Sequence, residues 1–174
     1  MNEAAFNKIR ALFDDQSIPY RTCVHEVCRT SAESARVRKA AGLPDAIGAK
    51  ALLCKVDWRG GMSEFVTFVL PGTHTLDKVK IKQTLPELKQ FRFANAEELM
   101  ELAGVVPGCM PPFGSQVFEG ITKLYVSSQI QNFERVAFNA AKLDTSIVLL
   151  TTDYLRAATP DMVFDYSSPK LELE

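Results

Sequence analysis

Lys50 stands in the stretch Ala49-Lys50-Ala51-Leu52-Leu53-Cys54, where every other residue is apolar. A lysine at the mouth of a buried strand can aim its ammonium into a cleft. It can also lay its stem along the surface and keep the charge in water, and spacing alone leans to that second reading. A second feature is the run Gly108-Cys109-Met110-Pro111-Pro112-Phe113-Gly114. Proline fixes φ and glycine permits close backbone approach, so such a loop can hold N–H groups rigidly toward a ligand oxygen. It can equally be a tight connection between a helix and a strand. A third is the basic series Lys78, Lys80, Lys82, Lys89 and Arg92, diluted by Asp77 and Glu87. Such a series is either a weak phosphate-binding patch or the solvated face of a helix.

The remaining candidates are the two histidines, His25 and His74, and the four cysteines, Cys23, Cys28, Cys54 and Cys109. Cys23 and His25 share one face of a strand, while Cys28 falls at or beyond its end. The spacing fits no common zinc module, so no metal is expected. Small buried thiols and a hydrogen-bonded histidine are the preferred reading. Cys54 reads as core. Cys109, inside the Pro/Gly loop, is the one thiol left as a candidate to face a ligand. A nucleophilic cysteine needs a nearby base to become thiolate, and sequence alone supplies none. The phosphate-cradling GxxxxGK[ST], GxGxxG and GxSxG patterns are absent, and no cofactor is implied.

The elements that must position these residues are readable from periodicity and punctuation. Phe6, Ile9, Leu12 and Phe13 recur at helical spacing over Glu3 to Asp15, with Ile18-Pro19-Tyr20 as the stop. Tyr20 to Glu26 reads as a strand. Thr30-Ser31-Ala32-Glu33 is a capping box that opens a helix running to about Ala41, closed by Gly42. Ala49 to Val56 and Glu64 to Leu70 form a hairpin around Gly60-Gly61. A helix over Leu76 to Leu85, a short strand over Phe91 to Ala94 and a helix capped by Asn95 and ended by Gly104 follow. Strands over Lys123 to Val126, Arg135 to Asn139 and Ser146 to Leu150, a helix from Thr152 to Ala158 and a strand over Met162 to Phe164 complete the pattern.

This is an α+β arrangement in one domain, residues 1–166, around a mixed, mainly antiparallel sheet that is open or partly closed. Residues 167–174 read as a polar, mobile tail. The chain has 174 residues, enough for one full core and too few for two. Its 20 basic and 21 acidic residues leave a net charge of −1, which argues against a protein that coats long stretches of nucleic acid. A grip on one short single-stranded end is compatible with it. The N-terminus lacks the apolar run of a signal peptide, and no segment approaches the ~20 apolar residues that span a bilayer. A cytoplasmic protein with reduced thiols and no membrane partner is expected.

Taken in order, five stretches resemble the YbaK-type aminoacyl-tRNA editing family, which includes free-standing deacylases and an insertion domain of prolyl-tRNA synthetases. They are His25-Glu26 with Arg29 to Glu33, Ala49 to Leu53, Gly108 to Gly114, Phe138 to Ala141, and Thr145 to Leu149 with Thr152 to Leu155. Together they span roughly His25 to Leu155. The resemblance implies a YbaK-like fold and hydrolysis of the ester that joins a mismatched small amino acid to a tRNA 3′ end. It implies Lys50 and Gly108 as the catalytic pair, Lys50 orienting the terminal nucleotide or ester and Gly108 offering backbone contacts near the carbonyl. It implies substrate contacts from Cys23, His25, Cys109, Met110, Pro112, Phe113, Gly114 and Ser146. The partners would be a mischarged tRNA and a synthetase, not DNA. Cys23 and Ser146 stand where a cysteinyl-tRNA-specific relative has tyrosine and aspartate, and Ala141 replaces a glycine of an N-A-G turn. Those differences leave the amino acid open.

Overall fold

A computed structural model describes residues 2–171. Helix α1 (Glu3–Asp15) buries Ala5, Ile9 and Phe13, and the Asn2 side chain caps it by accepting from the Ala5 N–H. The helix stops earlier than Pro19 would impose, because Ser17 turns to φ 54 and the Ile18 N–H returns to the Phe13 carbonyl. Strand β1 (Arg21–Val24) is shorter than the Tyr20–Glu26 expectation. Helix α2 (Ser31–Ala40) carries the full reciprocal capping box between Thr30 and Glu33.

Strands β2 (Ile47–Trp58) and β3 (Ser63–Pro71) form the long hairpin, turned by Gly60 and Gly61 at φ +104° and +90°. Next come β4 (His74–Leu76), α3 (Lys78–Thr84), β5 (Leu88–Phe93), α4 (Ala96–Ala103) and β6 (Lys123–Ser127). The α4 start is a second capping box, Asn95 with Glu98, and Gly104 ends it in the left-handed region. A 3₁₀ turn over Ser128–Asn132 leads to β7 (Arg135–Asn139), β8 (Thr145–Leu150), α5 (Thr151–Ala158), β9 (Met162–Phe164) and β10 (Ser167–Pro169).

Eight strands make one open mixed sheet in the order β1-β8-β7-β2-β3-β6-β9, with β5 paired to β2 beside that path. The sheet does not close into a barrel. Pairs β1/β8, β7/β8, β2/β3 and β2/β5 are antiparallel, whereas β2/β7, β3/β6 and β6/β9 are parallel. Along β2 the side chains alternate between two cores. Ala49 and Leu53 join the larger one with α1 and α5, while Cys54 and Val56 join the smaller one with Phe68 and Tyr166.

The expected tail needs correcting in its first part. Ser167–Pro169 pairs antiparallel with His74–Leu76, and Ser167 is buried against Ser127, their hydroxyls 2.8 Å apart. Polarity suggested solvent, but these hydroxyls find partners inside the fold, so burial leaves no polar atom unpaired. The strand β4 that receives them was not expected from sequence either. Residues 172–174 of the expected tail lie outside the described residues.

Candidate active site

Strand β2 changes neighbours partway along one edge. On that side β7 pairs only with Ile47 and Gly48, and β5 joins only from Cys54 onward. Among the described residues, Lys50, Ala51 and Leu52 therefore have a strand neighbour on the β3 side alone. A cleft of about 190 Å³ opens at this gap. Its walls are the inward face of α2, the first residues of β2, the loop at Gly108 and Met110, and the end of β7 at Asn139. Three cationic residues, Arg29, Arg38 and Lys50, line it, and no Asp or Glu does among the described residues. The local field therefore favours an anionic ligand although the whole chain is near neutral.

Lys50 is half-buried, and its Nζ donates to the His74 carbonyl at 2.9 Å. Burial, with a smaller contribution from Lys170, lowers its pKa from the ordinary lysine value. Register explains the position: Lys50 sits opposite Leu70, near the end of the hairpin where β4 begins. Lys50 is thus part of the cleft lining, with its ammonium held at the His74 carbonyl.

Gly108 has φ +96°, and a Cβ there would meet the Arg29 carbonyl oxygen at 3.2 Å. Both facts call for glycine. Its carbonyl accepts from Asn139 Nδ2 at 3.1 Å. Within the loop, the Cys109 N–H returns to the Val106 carbonyl and the Phe113 N–H to the Pro111 carbonyl. Proline has no N–H. Gly108 and Met110 line the cleft, and neither backbone N–H has a hydrogen-bond partner among the described residues.

Behind Asn139 stands a polar chain built by the β1-β8-β7 pairing, which sets Ser146 opposite both Cys23 and Asn139. Ser146 Oγ lies 2.8 Å from His25 Nε2 and 3.4 Å from Asn139 Oδ1. His25 Nδ1 lies 2.7 Å from the Glu26 carbonyl, so Nδ1 carries the proton and donates. In the neutral ring Nε2 then accepts the single Ser146 proton, which leaves none for the longer contact to Asn139 Oδ1. His25 and Ser146 thus lie behind Asn139, outside the cleft lining.

Several expected substrate contacts are not in the cleft. Cys109 is buried, and its thiol points at the Val106 carbonyl, 3.3 Å away, with its pKa raised by burial. Phe113 is fully buried among Phe13, Phe138 and Tyr154. The Pro112 carbonyl accepts from Tyr154 Oη at 2.8 Å, and a Cβ on Gly114 would stand 3.2 Å from the Leu124 Cβ. These residues anchor the loop to the core because an apolar ring and two prolines bury well. Cys23 is buried in β1 beside Ser146 and does not line the cleft. Of the loop, only Gly108 and Met110 reach it.

The basic series lies apart from the cleft lining and is partly neutralised. Lys80 pairs with Asp165 at 2.9 Å, and Arg92 grips Glu98 through both guanidinium nitrogens at 2.8 and 2.7 Å. Lys78 lies over the Phe91 ring, 5.8 Å from its centroid, and Lys82 and Lys89 are exposed. The Cys23, His25 and Cys28 group makes no cluster of three metal-ligand side chains among the described residues. Cys28 Sγ lies 3.7 Å from His25 Nδ1, and all four cysteines are free and buried. No helix is long and apolar enough to cross a membrane among the described residues.

Sequence reasoning missed Arg38 as a site residue and treated Asn139 only as part of a turn. A signal existed for Arg38. The helix Ser31–Ala40 has no apolar stripe, so its inward face has to be polar, and Ser34 and Arg38 are its buried residues.

Comparison with known proteins matches this architecture. The aminoacyl-tRNA editing domain family matches residues 25–157. A multifunctional Ser/Thr-tRNA deacylase of Escherichia coli (strain K12) is 32% identical over 157 residues, covering 90% of this chain and 89% of that protein. A proline–tRNA ligase of Burkholderia multivorans is 33% identical over 67 residues, covering 38% of this chain and 11% of the ligase. A solved structure assigned provisionally as a trans-editing enzyme for prolyl tRNA synthetase superposes with TM-score 0.71 at 17% identity, covering 97% of this chain and 99% of that one. With a family match over most of its length and this cleft at the break in its sheet, the chain belongs to the aminoacyl-tRNA editing domain family.

Proposed function

We propose that the protein is a trans-acting aminoacyl-tRNA deacylase that hydrolyses the ester of a small, wrongly attached amino acid at a tRNA 3′ end. The observation that carries the reading is the cleft itself: Arg29, Arg38 and Lys50 around a small volume, with Gly108 and Met110 in its lining and no acidic residue among the described residues. A tRNA end is anionic, and its ester carbonyl needs donors where negative charge develops during attack by water. Lys50 orients the ester or the terminal nucleotide with an ammonium held by the His74 carbonyl. The free amides of Gly108 and Met110 meet the carbonyl oxygen, and Asn139 fixes the Gly108 peptide. No His, Cys, Asp or Glu lines the cleft among the described residues, so no side-chain base of the usual kind stands beside the reacting carbon. Activation of water by the neighbouring hydroxyl of the terminal ribose fits that lining.

The Escherichia coli relative named for seryl and threonyl substrates supports a small polar amino acid as the first choice. Action beside a synthetase in the cytoplasm follows from the same reading. The exposed Lys78, Lys82 and Lys89 then add modest attraction for the acceptor stem, with little from the paired Lys80 and Arg92. The test is single-turnover deacylation of seryl-, threonyl-, alanyl- and cysteinyl-tRNA on mismatched acceptors. Hydrolysis of at least one is expected. Binding of the charged tRNAs without hydrolysis of any would replace the enzyme with a non-catalytic tRNA-binding module.

A further inference from the structure

Arg38 is a cation without a counter-charge. It is only 5% exposed, and its Nη2 has no hydrogen-bond partner. No ion pair involves it among the described residues. The ionisable groups that act on it are the thiols of Cys28 and Cys23, not carboxylates. Burial pushes the Cys28 thiol upward, so it stays protonated and supplies no balancing charge. A buried, unpartnered guanidinium is costly, and proteins ordinarily pair it. Here it lines the cleft on the same face of α2 as Ser31 and Ser34, three and four residues apart along the helix. Gly48 leaves room beside it: even a Cβ there would stand 4.0 Å from Nη2.

We infer that Arg38 is a phosphate anchor, whose guanidinium takes oxygens of the phosphodiester leading into the terminal nucleotide of the substrate. This rests on the deacylase reading above. An amino acid held as an ester has no free carboxylate, so the anions at a tRNA 3′ end are phosphodiesters. The planar guanidinium fork suits phosphate oxygens, which it can meet with two parallel bonds. The Ser31 and Ser34 hydroxyls on the same face offer further donors. The strain of an unpaired charge in the empty protein is then relieved only when the correct end is seated.

The test uses two hydrolysis-resistant probes, adenosine carrying a 3′-amide-linked seryl group, with and without a 5′-phosphate, titrated calorimetrically. Wild type is expected to bind the phosphorylated probe about tenfold tighter or more, as a charge-assisted hydrogen bond allows. Arg38→Gln should erase that difference while keeping affinity for the unphosphorylated probe. Arg38→Lys, with the charge but not the fork, should keep part of it and carries the test if Arg38→Gln does not fold. Arg38→Met should raise the Tm of the ligand-free protein by removing an uncompensated charge. A phosphate preference that survives in Arg38→Gln, one absent from wild type, or a lowered Tm in Arg38→Met would overturn the anchor. Wild type that hydrolyses mischarged tRNA without a phosphate preference would lose the anchor and keep the deacylase. Wild type with the preference but no hydrolysis would lose the deacylase and keep the anchor.

Discussion

Lys50 and Gly108 line the same cleft, one on β2 and the other in the Pro/Gly loop. The Lys50 ammonium makes one hydrogen bond, to the His74 carbonyl, and its side chain packs at a partly exposed site. Lys50→Ala is therefore expected to leave the circular dichroism spectrum unchanged and to slow single-turnover deacylation on the order of 10²-fold, the usual cost of losing one preorganised donor. A wild-type rate in that variant would remove Lys50 from the mechanism. The loop separates two further residues cleanly. Gly108→Ala forces a Cβ against the Arg29 carbonyl at 3.2 Å in a backbone region that side chains resist. It should cut the rate by about 10²–10³-fold as the Gly108 and Met110 amides shift. Cys109→Ala should leave the rate near wild type, because that thiol faces the Val106 carbonyl and not the cleft. The reverse outcome, or a covalent aminoacyl adduct on Cys109, would mean a cysteine acyl-transferase.

Among the elements, β2 does most of the positioning. It contributes to both cores, carries Lys50, and by changing partners from β7 to β5 leaves the gap in which the cleft lies. The far end of that arrangement is held by the Arg92–Glu98 pair, which ties β5 to the first turn of α4. The Glu98 carboxyl accepts from Arg92 and from the Asn95 N–H, which together hold its pKa down to about 2. Because the folded value is depressed, its contribution is present above the ordinary carboxylate range near ~4.3 and is lost as pH falls from there through about 2. Glu98→Gln should lower stability modestly in the neutral region, where the contribution is present, and flatten the acid limb of the unfolding profile in that window, the effect staying small because the pair is on the surface. An acid limb identical to wild type in a circular dichroism titration would show that the pair contributes nothing measurable. Elsewhere the Asn139-Ala140-Ala141 turn places Ala141 at φ 62, the region a glycine would enter without cost.

For the whole molecule, near-neutral net charge and a local cationic cleft predict short-range recognition of a tRNA end. Each neutralised phosphate on a single strand contributes about 0.7 to the slope of log affinity against log salt, so a slope of about 2 corresponds to roughly three contacts. A shallow slope of that order is expected in filter binding or fluorescence titration with charged tRNA. A steep one would mean that the protein lies along much more of the nucleic acid than this cleft and the exposed Lys78, Lys82 and Lys89 can account for.

Much of this was legible locally. Capping boxes at Thr30 and Asn95, glycines at the hairpin turn and alternation along β2 depend on neighbours within a few residues, so the elements could be read from the sequence, as could Lys50 as an outlier among apolar residues. The motif order from His25 to Leu155 pointed to the family that the comparison then showed. What depended on contacts distant in sequence was not legible. Whether Cys109 and Phe113 face a ligand or the core is decided by α1, β7 and α5 packing on the loop. Whether Ser167–Pro169 hangs in water is decided by the edge that His74–Leu76 presents to it. Arg38 is a surface arginine by composition and becomes a buried, unpartnered cation only because α2 lies against Gly48. Local propensity sets the type of each element, but burial of a particular side chain is a property of the surface that another element brings against it.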